Sequence, residues 1–367
     1  MIKHIFFVVT IAISGTMFLA SCQNQPPLIL PTVLATEAHV AASPVATTAK
    51  TRTPSGPDQQ YIIFDDDGSP DGTTALLYFL ANPNSYVKSA SISFGEAYPE
   101  IYIQHIGRIL DDFGIHDIAL GAGQAAPLAG DNSFPEYARQ AANDFWGFPL
   151  PNAEKTYAVS NAADLIVSTL NQSTEPITVF VSGPATNLAQ ALRLDPTIKD
   201  DIAAVFIMGG AVYVRGNIDD LMADNGNVTA EWNIYGDPLA AKEVFQSGLN
   251  IFLVPLDATN QVLISGDDTK IWQLGKRIPD FAAHIYDTLM SFRGSDEFMI
   301  WDLMTAVLAI NPELCDFQPL HLDVVTEDGV TSGQTVVSPT AEPNVNVCLK
   351  PDVAGIKQIL RDVFSQH

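Results

Sequence analysis

Basic residues are scarce in this chain: 18 Lys and Arg stand against 42 Asp and Glu, a formal net charge of −24. A field of that sign repels phosphate backbones and weakens attraction to anionic lipid, which argues against nucleic-acid polymers as partners. It remains compatible with divalent cations and uncharged small molecules. Charge of either sign is also sparse, at 16% against 47% hydrophobic residues, so the chain can bury a sizeable core and is not disordered over most of its length. Two further features are missing. There is no repeat of fixed period, and no second linker interrupts the chain after residue 58.

Long apolar runs are missing too, apart from residues 5–19, which follow Lys3 and His4 and end at Leu19-Ala20-Ser21-Cys22. That run is too short for an ordinary membrane span and reads as an export signal. Small residues before a cysteine resemble the lipobox of bacterial lipoproteins, which implies removal of residues 1–21 and acylation of Cys22. Stable anchoring then follows from several acyl chains rather than one. Residues 22–58 are rich in Pro, Ala and Thr, with Glu37 as the only acidic residue before Asp58, and read as a tether. One folded domain is expected over residues 59–367, facing the extracytoplasmic side. In that oxidising setting Cys315 and Cys348 are expected to pair.

Within the domain, short apolar runs alternate with segments of helical spacing. Strands are predicted at residues 61–64, 87–94, 177–181, 202–208 and 251–254, and helices at 73–80, 101–113, 163–170 and 238–245. This is the pattern of an α/β fold, a parallel-rich mixed sheet flanked by helices. Ligands of such sheets bind beyond the carboxyl ends of the strands, so the residues just after each strand carry the functional signal.

After the first strand comes Asp65-Asp66-Asp67-Gly68-Ser69-Pro70-Asp71-Gly72. Four confined carboxylates repel one another unless a cation or many hydrogen bonds offset them, and hard oxygens select calcium or magnesium. An EF-hand is excluded, because the twelfth position from Asp65 is Leu76. A solvated acidic turn is the simpler reading of this loop alone. Strand followed by Asp-x-Asp-Gly-Ser also resembles the haloacid-dehalogenase phosphatases.

Four later segments decide between them. Gly183-Pro184-Ala185-Thr186-Asn187, Met208-Gly209-Gly210, Glu231-Trp232-Asn233 with Asp237-Pro238, and Trp301-Asp302 follow in order. Singly they could be tight turns and caps. Together with the opening loop they resemble the inosine-uridine preferring nucleoside hydrolases across most of the chain after the tether. That resemblance implies hydrolysis of the N-glycosidic bond of a ribonucleoside, with calcium as cofactor and a small-molecule nucleoside as partner. Homo-oligomers are common in the family.

Carried onto this chain, the resemblance makes Asp67 the base and a metal ligand. It makes Asp71 a ribose contact within the same metal site, Thr186 a ligand through its carbonyl and Asp302 a further carboxylate ligand. Glu231 and Asn233 become ribose contacts, as does Asn217, with Asn227 as its rival. Three departures stand out. Gly72 replaces an aspartate that binds the metal directly, Glu96 replaces an asparagine, and Trp301 replaces the histidine of pyrimidine-accepting relatives. From these, Glu96 is expected to supply part of the missing carboxylate and Trp301 to stack on the base and favour purines. A ribonucleoside-binding lipoprotein without catalysis, and a metal-dependent phosphatase, are the competing functions.

Overall fold

The computed structural model describes residues 59–151 and 154–366; Cys22 and the rest of residues 1–58 lie outside them. Thirteen strands occur among the described residues: β1 (Gln60–Asp66), β2 (Ser85–Ile92), β3 (Ala119–Ala122), β4 (Ser160–Asn161), β5 (Ile177–Ser182), β6 (Ile202–Met208), β7 (Ile251–Val254), β8 (Leu263–Ser265), β9 (Glu297–Met299), β10 (Cys315–Leu320), β11 (Leu322–Val324), β12 (Thr335–Val337) and β13 (Val345–Pro351). Nine form one sheet in the order β10-β13-β7-β6-β5-β1-β2-β3-β4. All its pairings are parallel except β10 with β13. The predicted α/β class and parallel-rich mixed sheet are therefore present. β8 with β9 and β11 with β12 make two small antiparallel ribbons.

Both faces of the sheet are covered, as the near-continuous apolar strands require. Ile62 and Phe64 face one core, shared with the helices Pro70–Ala81, Pro99–Asp112, Arg277–Arg293, Trp301–Ile310 and Val353–Gln366. Ile63, one residue out of phase, faces the other, shared with Ala162–Asn171, Thr186–Leu194 and Pro238–Phe245. Strand period two thus sends Asp65 and Asp66 to opposite faces. Cys315 and Cys348 are joined as a disulfide, with Cα atoms 5.8 Å apart, binding edge strand β10 to β13. No helix among the described residues is long and apolar enough to cross a membrane.

The strand order fixes where a ligand can enter. From β1 the chain moves outward through β2, β3 and β4, then returns to lay β5 on the other side of β1 and proceeds through β6 and β7. The order reverses between β1 and β5, so the crevice beyond the carboxyl ends of these two strands is the topological switch point.

Candidate active site

At that crevice the chain leaves β1 through Asp67 and turns at Gly68, whose φ of 90° lies in the left-handed region. Only glycine serves here, since an added β-carbon would lie 2.9 Å from Tyr102 Cγ and closer still to Ala97. The helix Pro70–Ala81 starts immediately. Ser69 caps it by accepting from Gly72 N at 2.7 Å, and Pro70 takes the first helical position, where its missing N–H costs nothing. The sharp turn gathers all four acidic residues of the loop within one buried segment.

Asp67 sits between two glycines that leave it room. A β-carbon on Gly95 would lie 2.7 Å from its Cγ, and one on Gly183 would lie 2.5 Å from its Cβ. Its Oδ2 accepts from Glu96 N at 3.0 Å. Burial pushes its carboxyl well above the usual range, and the charges of Asp66, Glu96 and Glu231 push the same way. Asp302 stands at the start of Trp301–Ile310 and accepts from Ser69 Oγ at 2.8 Å. Burial, then Asp71, Asp66 and Asp67, raise it well above its ordinary value. Glu96 is raised to about 8, by desolvation first and then by Asp66 and Asp71, with Arg293 opposing. Mutual elevation, opposed by a base only at Glu96, is the electrostatics of a cation site, a general-base site, or both.

Other expected residues have their acceptors committed. Asp71 Oδ2 accepts from Asp302 N at 2.6 Å, and its Oδ1 accepts from Tyr286 Oη and Thr74 Oγ1. It caps the helix that carries Asp302, whose own flanking residue Ile300 has no capping side chain. A carboxylate has about four acceptor positions, so a ribose hydroxyl reaching Asp71 would compete with these bonds. Glu231 caps Trp232–Gly236 and accepts from Asn233 N, Gly210 N and Ile234 N at 2.9, 2.9 and 3.2 Å. That leaves about one position open. Burial brings its carboxyl up to about 7 against these bonds.

Asn233 is buried and donates to Met208 O at 3.0 Å, at the end of β6. Asn217 accepts from Trp232 N at 3.2 Å through Oδ1. Its rival Asn227 is fully buried, donates to Ser332 O, and accepts from Thr229 N and Ala230 N. Asn227 is thus a knot within its loop. Thr186 opens Thr186–Leu194 beyond β5, with its hydroxyl donating to Asp237 Oδ2 at 2.8 Å. Trp301 is half-buried. Its indole packs on Phe298 and beside Met208, Ala211 and Leu256 at the ends of β6 and β7, and Nε1 donates to Asn260 Oδ1.

Two carboxylates of the opening loop received no role of their own from the resemblance. Asp65, facing the opposite core, accepts from Ser91 Oγ and Asn187 Nδ2, and its carboxyl is raised by burial to about 6. Asp66 accepts from Ser182 Oγ at 2.8 Å and Gly68 N at 2.9 Å, and burial raises it to about 7. Only the period-two alternation of β1 hinted that Asp66 shares a side with the first helix.

The carboxylates and the Thr186 carbonyl are hard-oxygen donors, whose chemistry suits calcium or magnesium. Among the described residues no three such side chains converge as ligands do, being turned instead onto amides and hydroxyls. Asp67, Asp71, Asp302, Glu96 and the Thr186 carbonyl are the groups that the resemblance and its departures assign to a cation.

A family model described as inosine-uridine preferring nucleoside hydrolase matches residues 62–358. The pyrimidine-specific ribonucleoside hydrolase RihA of Citrobacter koseri is 29% identical over 311 residues, covering 82% of this chain and 96% of that protein. RihA of Escherichia coli K12 is 30% identical over 318 residues, with 82% and 97% covered. Among solved structures, a purine-preferring ribonucleoside hydrolase from Gardnerella vaginalis superposes with a TM-score of 0.73 at 25% identity, over 84% of this chain and 98% of that one. With its strand order, its switch-point carboxylates and a match spanning nearly the whole described domain, the chain belongs to the inosine-uridine preferring nucleoside hydrolase family.

Proposed function

We propose that this protein hydrolyses the N-glycosidic bond of ribonucleosides, giving ribose and free base. The observation that carries the reading is the placement of Asp67 between Gly95 and Gly183 at the switch point, buried, within the field of three further carboxylates. Departure of the base leaves an oxocarbenium-like sugar, which negative charge stabilises and which water must attack. A raised carboxyl pKa brings Asp67 toward the range in which it can accept the proton of that water near neutral pH. A bound divalent cation supplies further activation of the nucleophile. Asn233, Asn217 and the remaining acceptor position of Glu231 hold ribose hydroxyls, Asp71 aims Asp302, and Trp301 offers a face to the base.

The relatives named above include pyrimidine-specific and purine-preferring enzymes, so base preference rests on residues such as Trp301. Incubating the folded domain with mixed purine and pyrimidine nucleosides, in calcium and in chelator, followed by chromatography, tests the function. Free base released in calcium is the expected result, whereas saturable nucleoside binding without base release would turn the reading into that of a binding protein. The proposal extends to location: the protein is exported and anchored through acylated Cys22. The mass of the mature N-terminus reads this directly, and an unmodified Cys22 would refute it.

A further inference from the structure

Position 72 carries no side chain, and the structure shows what fills the space. A β-carbon built on Gly72 would lie 2.7 Å from Asp66 Oδ2 and still closer to Asp66 Oδ1 and Cγ. The carboxylate of Asp66 therefore lies where an acidic side chain at 72 would have to begin. The two cannot coexist without one of them moving. Glycine at 72 is not required by backbone conformation, since its φ falls outside the left-handed region. It sits in the first turn of a helix, where it is disfavoured by roughly 1 kcal/mol relative to alanine, so a steric reason is needed, and Asp66 provides it.

Asp66 is also held rather than loosely packed. Ser182 Oγ, from the end of β5, donates to one oxygen, and Gly68 N donates to the other. These two bonds fix the carboxylate across the β1/β5 crevice and leave each oxygen with further acceptor capacity. The side chain is completely buried, and no Lys or Arg is found among its hydrogen-bond partners. Glu96, the expected substitute for the missing carboxylate, starts from the loop after β2, whereas the three atoms nearest to a β-carbon at 72 all belong to Asp66.

We propose that Asp66 supplies the cation-binding carboxylate that position 72 lacks, so that a ligand has moved from the first helical turn to the last residue of β1. The inference rests on the cation-assisted reading of the site, and Gly72 is its steric counterpart: the small residue makes room for the relocated carboxylate. The pair is reciprocal, which makes it testable by exchange.

Isothermal titration of the folded domain with calcium chloride alone, without nucleoside, reads the site independently of turnover. Asp66→Asn, which keeps the shape, should weaken calcium binding by about tenfold or more. Gly72→Asp alone should not tighten binding and should lower the melting temperature, because its side chain meets Asp66. The exchange Asp66→Ala/Gly72→Asp should bind calcium at least about tenfold more tightly than Asp66→Ala alone. Unchanged affinity in Asp66→Asn, no calcium binding by the wild type, or an exchange variant no tighter than Asp66→Ala would each overturn the inference. If Asp66→Asn fails to fold, the comparison of exchange variant with Asp66→Ala decides. Calcium binding lost in Asp66→Asn by a wild type that releases no base would uphold this inference while refuting the hydrolase reading.

Discussion

Removing divalent cations and raising the pH should together loosen this domain. Desolvation raises the carboxyls of Glu231 and Asp66 to about 7, of Asp65 and Asp71 to about 6, and of Glu96 to about 8. Each binds its proton more tightly in the folded chain than in the unfolded one. The associated stability is therefore fully present below the unfolded carboxyl pKa of about 4 and is lost as pH rises through the folded values, between about 6 and 8. For Glu231, which is 2% exposed, ionisation from a starting value of 4.5 costs the folded state on the order of 3 kcal/mol. The remaining groups interact and do not add simply, but together they reach several kcal/mol against a typical total of about 5–15. His105, lowered by burial from 6.5, acts in the opposite direction, at and below that ordinary value, and is a single group. Calcium that binds the ionised carboxylates of the folded state offsets the loss, by about 2.7 kcal/mol at a hundred times its dissociation constant. Urea unfolding at about pH 5 and about pH 8, in chelator and in excess calcium, measures all four corners. Stability in chelator should fall between the two pH values, calcium should reduce the fall, and Glu231→Gln should flatten it. A chelated domain equally stable or more stable at the higher pH would refute the reasoning.

Three further outcomes follow from the site. Asp67→Asn keeps the shape of the side chain and removes the base, so base release should drop by about a hundredfold or more with the melting temperature nearly unchanged; activity within about tenfold of wild type would reject the assignment. Trp301→Ala should reduce kcat/KM more for inosine or adenosine than for uridine, by roughly 1–3 kcal/mol of stacking, whereas equal losses would make the indole a packing residue only. Glu96→Gln should weaken calcium binding through loss of a nearby negative charge, and unchanged affinity in a calcium-binding wild type would end its role.

Regular elements were legible in the sequence where period and burial agreed. Ile202–Met208, Ile251–Val254 and Pro238–Phe245 fall where the apolar spacing predicts, and the helix expected at 73–80 extends to Pro70–Ala81 because Ser69 and Pro70 begin it earlier. The stretch holding β3, β4 and Glu136–Asn143 was not legible, since its strands are four and two residues long and its helix buries only Arg139 and Ala142. At the site, motif order pointed to Asp67, Glu231, Asn233 and Asp302, all of which are buried. It could not show that Asp71 spends its acceptors on the Asp302 amide and two hydroxyls, that Glu231 spends most of its own on a helix cap, nor that Asp66 fills the place beside Gly72. Those facts depend on how the helices Pro70–Ala81 and Trp301–Ile310 dock against β1, which spacing along the chain does not encode.

The bonds that hold the opening loop have a consequence for when the protein becomes competent. Ser69 reaches Asp302 across 233 residues, Asp71 reaches the Asp302 amide across 231, and Tyr286 reaches Asp71 across 215. Closing such distant contacts is entropically slow, and a parallel sheet adds to the delay. The loop after β1 is synthesised first in the domain and receives its partners from nearly the last quarter of the chain. A nascent or truncated chain ending before Asp302 cannot orient these carboxylates. Ligand binding therefore reports completion of the fold, and a proteolytic cut that releases the C-terminal segment would silence the site.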